Sequence, residues 1–254
     1  QVKALSVAAI QSLSSAQVAA LDTVDLAQLS TGQIRALSNG GLSGLTTAQV
    51  NNMGTQQVAA FSAEQLKVLS SNQLVALSTA QAAALTSTQM TGLAPTQIAA
   101  MQTEDVAALT TRAIGAMSAA QVQGLTTAQV AGLSTTQAAG LGAAQVGALT
   151  SAQLKAMETA DLAKLTTSAL QALSNNALAG LTTSQVANMG TAQVAALTDV
   201  QIKQVSSANI QALTSDQAKV LTQAQLGALT SGQVAALDTV DVAQLTSAQI
   251  RFLG

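Results

Sequence analysis

The chain lacks several residue types on which catalysis and metal binding usually depend. Its 254 residues include no Cys, His, Trp or Tyr, one Pro and two Phe, and only 8% of them are charged. Disulfides, thiolate chemistry, histidine-based catalysis and the usual zinc sites are therefore excluded, since each needs a missing side chain. These absences predict a protein that is not an enzyme and holds no cofactor.

Charge and hydropathy exclude two further classes of partner. Nine basic against eleven acidic residues give a net charge of −2, which does not attract a polyanion, and aromatic rings on which bases could stack are scarce. Ser, Thr or Gln interrupts the apolar residues every few positions, so no apolar run reaches the roughly 20 residues of a membrane span. We expect neither nucleic-acid binding nor membrane insertion.

What the sequence does contain is an eight-residue repeat. A large apolar residue returns every eight positions from Leu5 and Leu13 to Leu253, and all 32 positions of this series are Leu, Met, Phe or Val. A second apolar position follows five residues after each, as in Val18 and Val50. No insertion or deletion breaks the phase. The pattern predicts one continuous array over residues 1–254, with about 32 repeats, which we call octads.

A longer period of 136 residues lies over the octads. The segment 38–47 returns in recognisable form at 174–183, so that residues 1–118 are related to 137–254. No Pro/Gly-rich linker or run of charge separates the two copies. We interpret the relation as duplication of a block within an array, not as two folded domains.

Every octad carries the signals of a helix start. Seventeen octads have Ser or Thr followed three residues later by Gln, as in Thr46 and Gln49, which is a capping box. In this frame the Ser or Thr is the N-cap, the Gln is N3, and the two apolar residues are N′ and N4, the ends of a hydrophobic staple. All eleven acids lie between the cap and N3, and most bases lie at N5, as a helix dipole favours.

These signals predict an all-α solenoid, a superhelix of very short capped helices with one helix per eight-residue repeat. In one continuous α-helix the apolar series would drift by roughly 80° per octad and form no stripe. A β-solenoid is the less favoured alternative, because Ala, Gln and Leu are poor strand formers. A single octad buries too little apolar surface to fold alone, so neighbouring octads must stack.

Pairs of acids at the cap and N3 positions are the only candidates for site chemistry. These weak calcium candidates are Asp22, Asp25, Glu158, Asp161, Asp238 and Asp241. A calcium site needs six to eight oxygen ligands, however, and no calcium-loop motif is present. The favoured interpretation is that the acid replaces Ser or Thr as the cap and complements the helix dipole.

The stretch Leu-Thr-Thr-Ala-Gln-Val-Ala-Gly-Leu at 125–133, with its many variants, resembles the octapeptide arrays of large, acidic, Cys-free bacterial surface or secreted proteins of the adhesin type. The resemblance implies an extracellular or bacterial cell-surface location and a structural role as a spacer or stalk. It identifies no ligand or partner.

Two other roles stay open at this stage. A concave face of a solenoid could hold a protein, peptide or glycan through the variable N1, N2, N5 and N6 positions, and clustering of Arg35, Lys67 and other N5 charges would support that role. A filament could form if ends at Gln1 and Gly254 stacked on one another.

Overall fold

In a computed structural model, which describes residues 2–253, each octad forms one short α-helix. A 3₁₀ helix at Val2–Ala4 precedes 31 α-helices of four to six residues, and no strand occurs in this range. The helices are α1 Val7–Gln11, α2 Ser15–Ala19, α3 Thr23–Leu26, α4 Thr31–Ala36, α5 Asn39–Leu42, α6 Thr47–Asn52, α7 Thr55–Ala60, α8 Ala63–Lys67, α9 Ser71–Val75, α10 Thr79–Ala83, α11 Ser87–Gly92, α12 Pro95–Ala100, α13 Thr103–Ala108, α14 Thr111–Gly115, α15 Ala119–Gly124, α16 Thr127–Ala131, α17 Thr135–Ala139, α18 Ala143–Gly147, α19 Ser151–Ala156, α20 Thr159–Leu162, α21 Thr167–Gln171, α22 Asn175–Leu178, α23 Thr183–Ala187, α24 Thr191–Ala196, α25 Asp199–Ile202, α26 Ser207–Gln211, α27 Ser215–Lys219, α28 Gln223–Ala228, α29 Ser231–Ala236, α30 Thr239–Gln244 and α31 Ser247–Ile250.

The helices begin where the capping boxes predict. All seventeen Ser/Thr–Gln pairs form both bonds of the box: the cap hydroxyl accepts from the N3 amide and the Gln side chain accepts from the cap amide. The single proline, Pro95, is the first residue of α12, where its missing N–H costs no helical bond.

Each helix ends at the next apolar N′ residue. The N–H of Leu45, for example, donates to the carbonyl of Leu42 over 3.1 Å, closing a last tight turn. The following cap residue is extended, with φ −81° and ψ 157° at Thr46. The chain therefore changes direction once per octad, between one helix and the next.

The residues fall into two units, Gln1–Leu125 and Thr126–Gly254. Within the first, helices three octads apart pack together, as α1 does on α4, α4 on α7 and α10 on α13. The second unit repeats the arrangement, with α18 on α21, α21 on α24 and α27 on α30. Each unit is thus a helical solenoid, which confirms the predicted fold class.

Other expectations about organisation stay predictions. These are the single continuous array over residues 1–254 and the origin of its 136-residue period by block duplication. End-to-end stacking at Gln1 and Gly254 also stays a prediction, because those two residues lie outside the described part of the chain.

The core consists of the two apolar positions that the sequence indicates. Residues at N4, such as Leu74 and Ile98, are fully buried. The N′ residues, such as Leu133 at 5% exposure, lie between the stacked turns. The six methionines do the same; Met90, for example, is fully buried at N4. The hydrophobic staple therefore supplies the interior of both solenoids.

Two glycines allow the closest approach between turns. A Cβ added at Gly180 would overlap the backbone carbonyl of Ser151, and one added at Gly44 would overlap that of Ser15. The two glycines are 136 residues apart and end the duplicated segments 38–44 and 174–180. Glycine is required there because a neighbouring backbone occupies the space of a side chain.

We expect Gly180→Ala to lower the free energy of unfolding by about 2 kcal/mol, since the added methyl must displace backbone. The matched control is Gly232→Ala in α29, where the added Cβ meets only the Ser207 hydroxyl at 3.6 Å. This control should be neutral or stabilising by up to about 1 kcal/mol, because Ala is the better helix former. Urea unfolding monitored by circular dichroism measures both. Equal effects would contradict the close approach.

Candidate functional site

The N3 glutamine begins each octad's polar network. In α23 the Gln185 side-chain oxygen accepts from the backbone N–H of Thr182 over 2.9 Å. The Thr182 hydroxyl in turn accepts from the backbone N–H of Gln185 over 3.2 Å. This half of the network is the predicted capping box.

The other end of the same side chain reaches the neighbouring turn. Gln185 Nε2 donates to the carbonyls of Leu154 and Met157, both over 2.7 Å, and the residue is only 2% exposed. The acceptors precede the glutamine by 31 and 28 residues. The same pair of bonds is made by Gln49, Gln57, Gln65, Gln73, Gln81, Gln89, Gln97, Gln121, Gln193, Gln201, Gln217, Gln225 and Gln233.

We call these inter-turn bonds the glutamine ladder. The last carbonyls of a helix have no partner within the helix, and a buried polar group left unpaired costs about 1–3 kcal/mol. One glutamine therefore caps the start of its own helix and the end of a helix four octads earlier. Because helices pack three octads apart and the ladder spans 28 to 31 residues, one turn of each solenoid takes between three and four octads.

Sequence reasoning identified the capping box but missed the ladder, although a signal was present. A capping box accepts Glu as readily as Gln at N3, yet Gln stands at N3 in 21 of the 31 helices and Glu in none. Only glutamine has a donor at the second atom. The exclusion of Glu from N3 is thus the mark of a donated bond.

Side chains at N5 also contact a neighbouring turn. Arg35 Nε donates to the carbonyl of Ala60 over 3.2 Å, and Asn51 makes the same bond to Ala76 over 3.1 Å. Gln171 follows with Ala196 over 2.9 Å. The offset is 25 residues each time. Arg35 therefore bonds to the solenoid's own backbone, whereas Lys67 is exposed.

The acids proposed as caps divide into two groups. Asp238 is a cap, since its carboxylate accepts from the backbone N–H of Asp241 over 2.7 Å. Asp22 and Glu158 make no side-chain cap bond, so the capping interpretation is wrong for these two. Both carboxylates are exposed to water, which competes for them, and proximity to the helix start is all that they retain.

The acids at N3 take the ladder position itself. Asp105, Asp161 and Asp241 are 1–2% exposed, while Asp25 is half-buried. Burial raises the pKa of Asp161 to about 6, with a smaller contribution from the Glu158 charge. The pKa of Asp105 is raised by burial, opposed by a hydrogen bond from Thr79 and raised further by Glu104.

The structure brings together the two acids of a pair but not one pair with another. In residues 2–253 no group of three or more acidic side chains is placed to hold a metal ion. The calcium hypothesis for Asp22, Asp25, Glu158, Asp161, Asp238 and Asp241 stays a prediction. Across the same residues, no helix has both the length and the apolar character needed to cross a membrane.

Fold and ladder together define a tandem-repeat protein of the α-solenoid class. The family model of the ALTTAQ repeat matches residues 1–31, 18–55, 26–63, 58–95, 98–135 and 154–191, which together exceed half of the chain. The chain therefore belongs to the ALTTAQ repeat family. Gly-Leu-Thr-Thr-Ala-Gln at 44–49 and 124–129 comes close to the motif in that name. No curated protein matches the chain.

Proposed function

We propose that this repeat region is a non-catalytic spacer or stalk of a large bacterial extracellular or cell-surface protein. The observation that carries the proposal is the use of side chains: N′ and N4 fill the core, the cap and N3 residues bond to backbone, and several N5 residues do the same. Few side chains are left to form a specific site.

The remaining exposed surface supports the same role. It consists mainly of Ser, Thr, Ala and Gln, and the described residues contain one ion pair, between Lys219 and Asp216 over 3.4 Å. Binding hot spots are typically rich in Trp, Tyr and Arg. A surface of small neutral side chains is suited to separating other parts of a protein without binding to them.

The ligand-binding alternative depended on free N5 charges. Arg35, the first residue named for it, donates to Ala60 of the neighbouring turn, so its guanidinium has a structural partner. This observation favours the spacer over the binding solenoid.

A spacer must separate its ends in proportion to its repeat number. We would fuse donor and acceptor fluorescent proteins to the two ends of the chain and of a longer chain that carries a second copy of residues 137–254. Energy transfer should fall when the extra octads are present. Unchanged transfer in the longer chain would contradict the spacer and return attention to a ligand.

A further inference from the structure

Asp161 stands where the ladder requires a hydrogen-bond donor. It is the N3 residue of α20, 1% exposed, and neither carboxyl oxygen has a hydrogen-bond partner. Its ladder neighbours, 31 and 28 residues earlier, are the carbonyls of Val130 and Leu133. At the equivalent position, Gln185 donates to two such carbonyls. A carboxylate there presents only acceptors to acceptors.

We propose that Asp161 is a protonated carboxylic acid in the folded chain under mildly acidic conditions, and that its proton replaces the glutamine donor of the ladder. The neutral acid has one O–H donor and no charge. It thereby removes both the cost of burying an unpaired charge and the conflict with the helix-end carbonyls. Asp161 is then a rung of the ladder that is strong in acid and weak at higher pH.

The surroundings of Asp161 offer nothing else that would neutralise it. The helices that pack on α20 are α17 and α23, and neither contains an acidic or basic residue. The ladder octad four repeats earlier, α16, is also uncharged. Within its own octad the nearest ionisable group is Glu158, whose negative charge adds to the disfavour. Burial to 1% leaves no space for the six or more oxygens that calcium prefers.

The two related acids show what Asp161 lacks. One oxygen of Asp241 accepts from the Ser215 hydroxyl over 2.9 Å, and Thr79 bonds to Asp105 in the same way. Both hydroxyls lie 26 residues before the acid. Each of these acids has a single unpartnered oxygen, whereas both oxygens of Asp161 are unpartnered. Asp161 is therefore the most proton-dependent of the three positions.

The direction of the pH effect follows from the raised pKa. Asp161 has a pKa of about 6 when folded against an ordinary value of 3.8. Its stabilising contribution is complete below the unfolded value, declines as the pH rises through the interval between the two, and is lost above the folded value. Asp161→Gln restores the donor at all pH values. It should therefore remove this pH dependence.

The test is the carboxyl-carbon NMR titration of the full chain, combined with melting temperatures from about pH 4 to about pH 7. We expect the Asp161 carboxyl to titrate near 6, and the melting temperature of the wild type to fall by a few degrees relative to Asp161→Gln as the pH rises. Asp216→Asn is the matched control, because this acid lies on the surface of the same unit. It should leave the pH dependence unchanged.

Two results would overturn the proposal. Titration of Asp161 near its ordinary value would show that the carboxylate is stable without a proton. Disappearance of the wild-type deficit at neutral pH on adding calcium chloride, with no effect on Asp161→Gln, would show that a cation takes the proton's place. If Asp161→Gln failed to fold, the wild-type titration alone would decide.

Discussion

Replacing Gln185 by glutamate is expected to lower the free energy of unfolding by about 3 kcal/mol at neutral pH. The two side chains have the same shape, and the oxygen that accepts from Thr182 is retained. The second atom changes from a donor, 2.7 Å from two carbonyls, to an acceptor. A buried charge that faces unpaired acceptors is among the most destabilising of single changes.

The matched control is Gln17→Glu. Gln17 forms the same capping box in α2, yet its side chain is exposed, and a carboxylate at a helix start is compatible with the dipole. We expect a change within about 0.5 kcal/mol there. Urea unfolding of both variants measures the difference. A tolerated Gln185→Glu would show that the ladder contributes little.

The second large effect is expected from Leu133→Asp. Leu133 is an N′ residue at 5% exposure between stacked turns. Aspartate there creates a cavity and buries a charge without a partner, so we expect a loss of roughly 3–5 kcal/mol. Thermal unfolding followed by circular dichroism provides the measurement.

Thr127→Asp supplies the comparison within the same unit. Thr127 is the exposed first residue of α16, where an acid interacts favourably with the dipole. The variant should match the wild type within about 0.5 kcal/mol. Equal losses in Leu133→Asp and Thr127→Asp would mean that the octad frame assigns the core wrongly.

Much of this fold follows from local sequence rules. Ser or Thr before Gln determines where each helix begins, and the Leu and Val of the staple determine which positions are buried. These interactions lie within eight residues, so their signals can be read along the chain. The frame even places the exceptional residue Pro95 at the one helical position that tolerates it.

What the sequence did not predict depends on contacts between turns. The ladder joins residues 28 and 31 positions apart, and that offset results from how successive helices pack, which no single octad encodes. The role of Gly180 has the same origin, because only the neighbouring turn places Ser151 against it. Asp161 looked like half of a calcium pair, whereas its burial in the ladder gives it a different chemistry.

The central claim is that the octad is the structural unit and that the ladder binds equivalent positions of successive turns. The most direct test compares two deletions in the second unit. Removing residues 221–228 takes out one whole octad and leaves every later glutamine opposite carbonyls of the correct phase. Removing only residues 225–228 shifts that phase by half an octad.

We would record thermal unfolding and backbone hydrogen exchange for both deletions. The whole-octad deletion should unfold cooperatively, as the wild type does, and keep its amides protected on both sides of the junction. The half-octad deletion should lose protection on the C-terminal side and unfold at a lower temperature. Equal tolerance of the two deletions, or loss of the fold in both, would contradict the account.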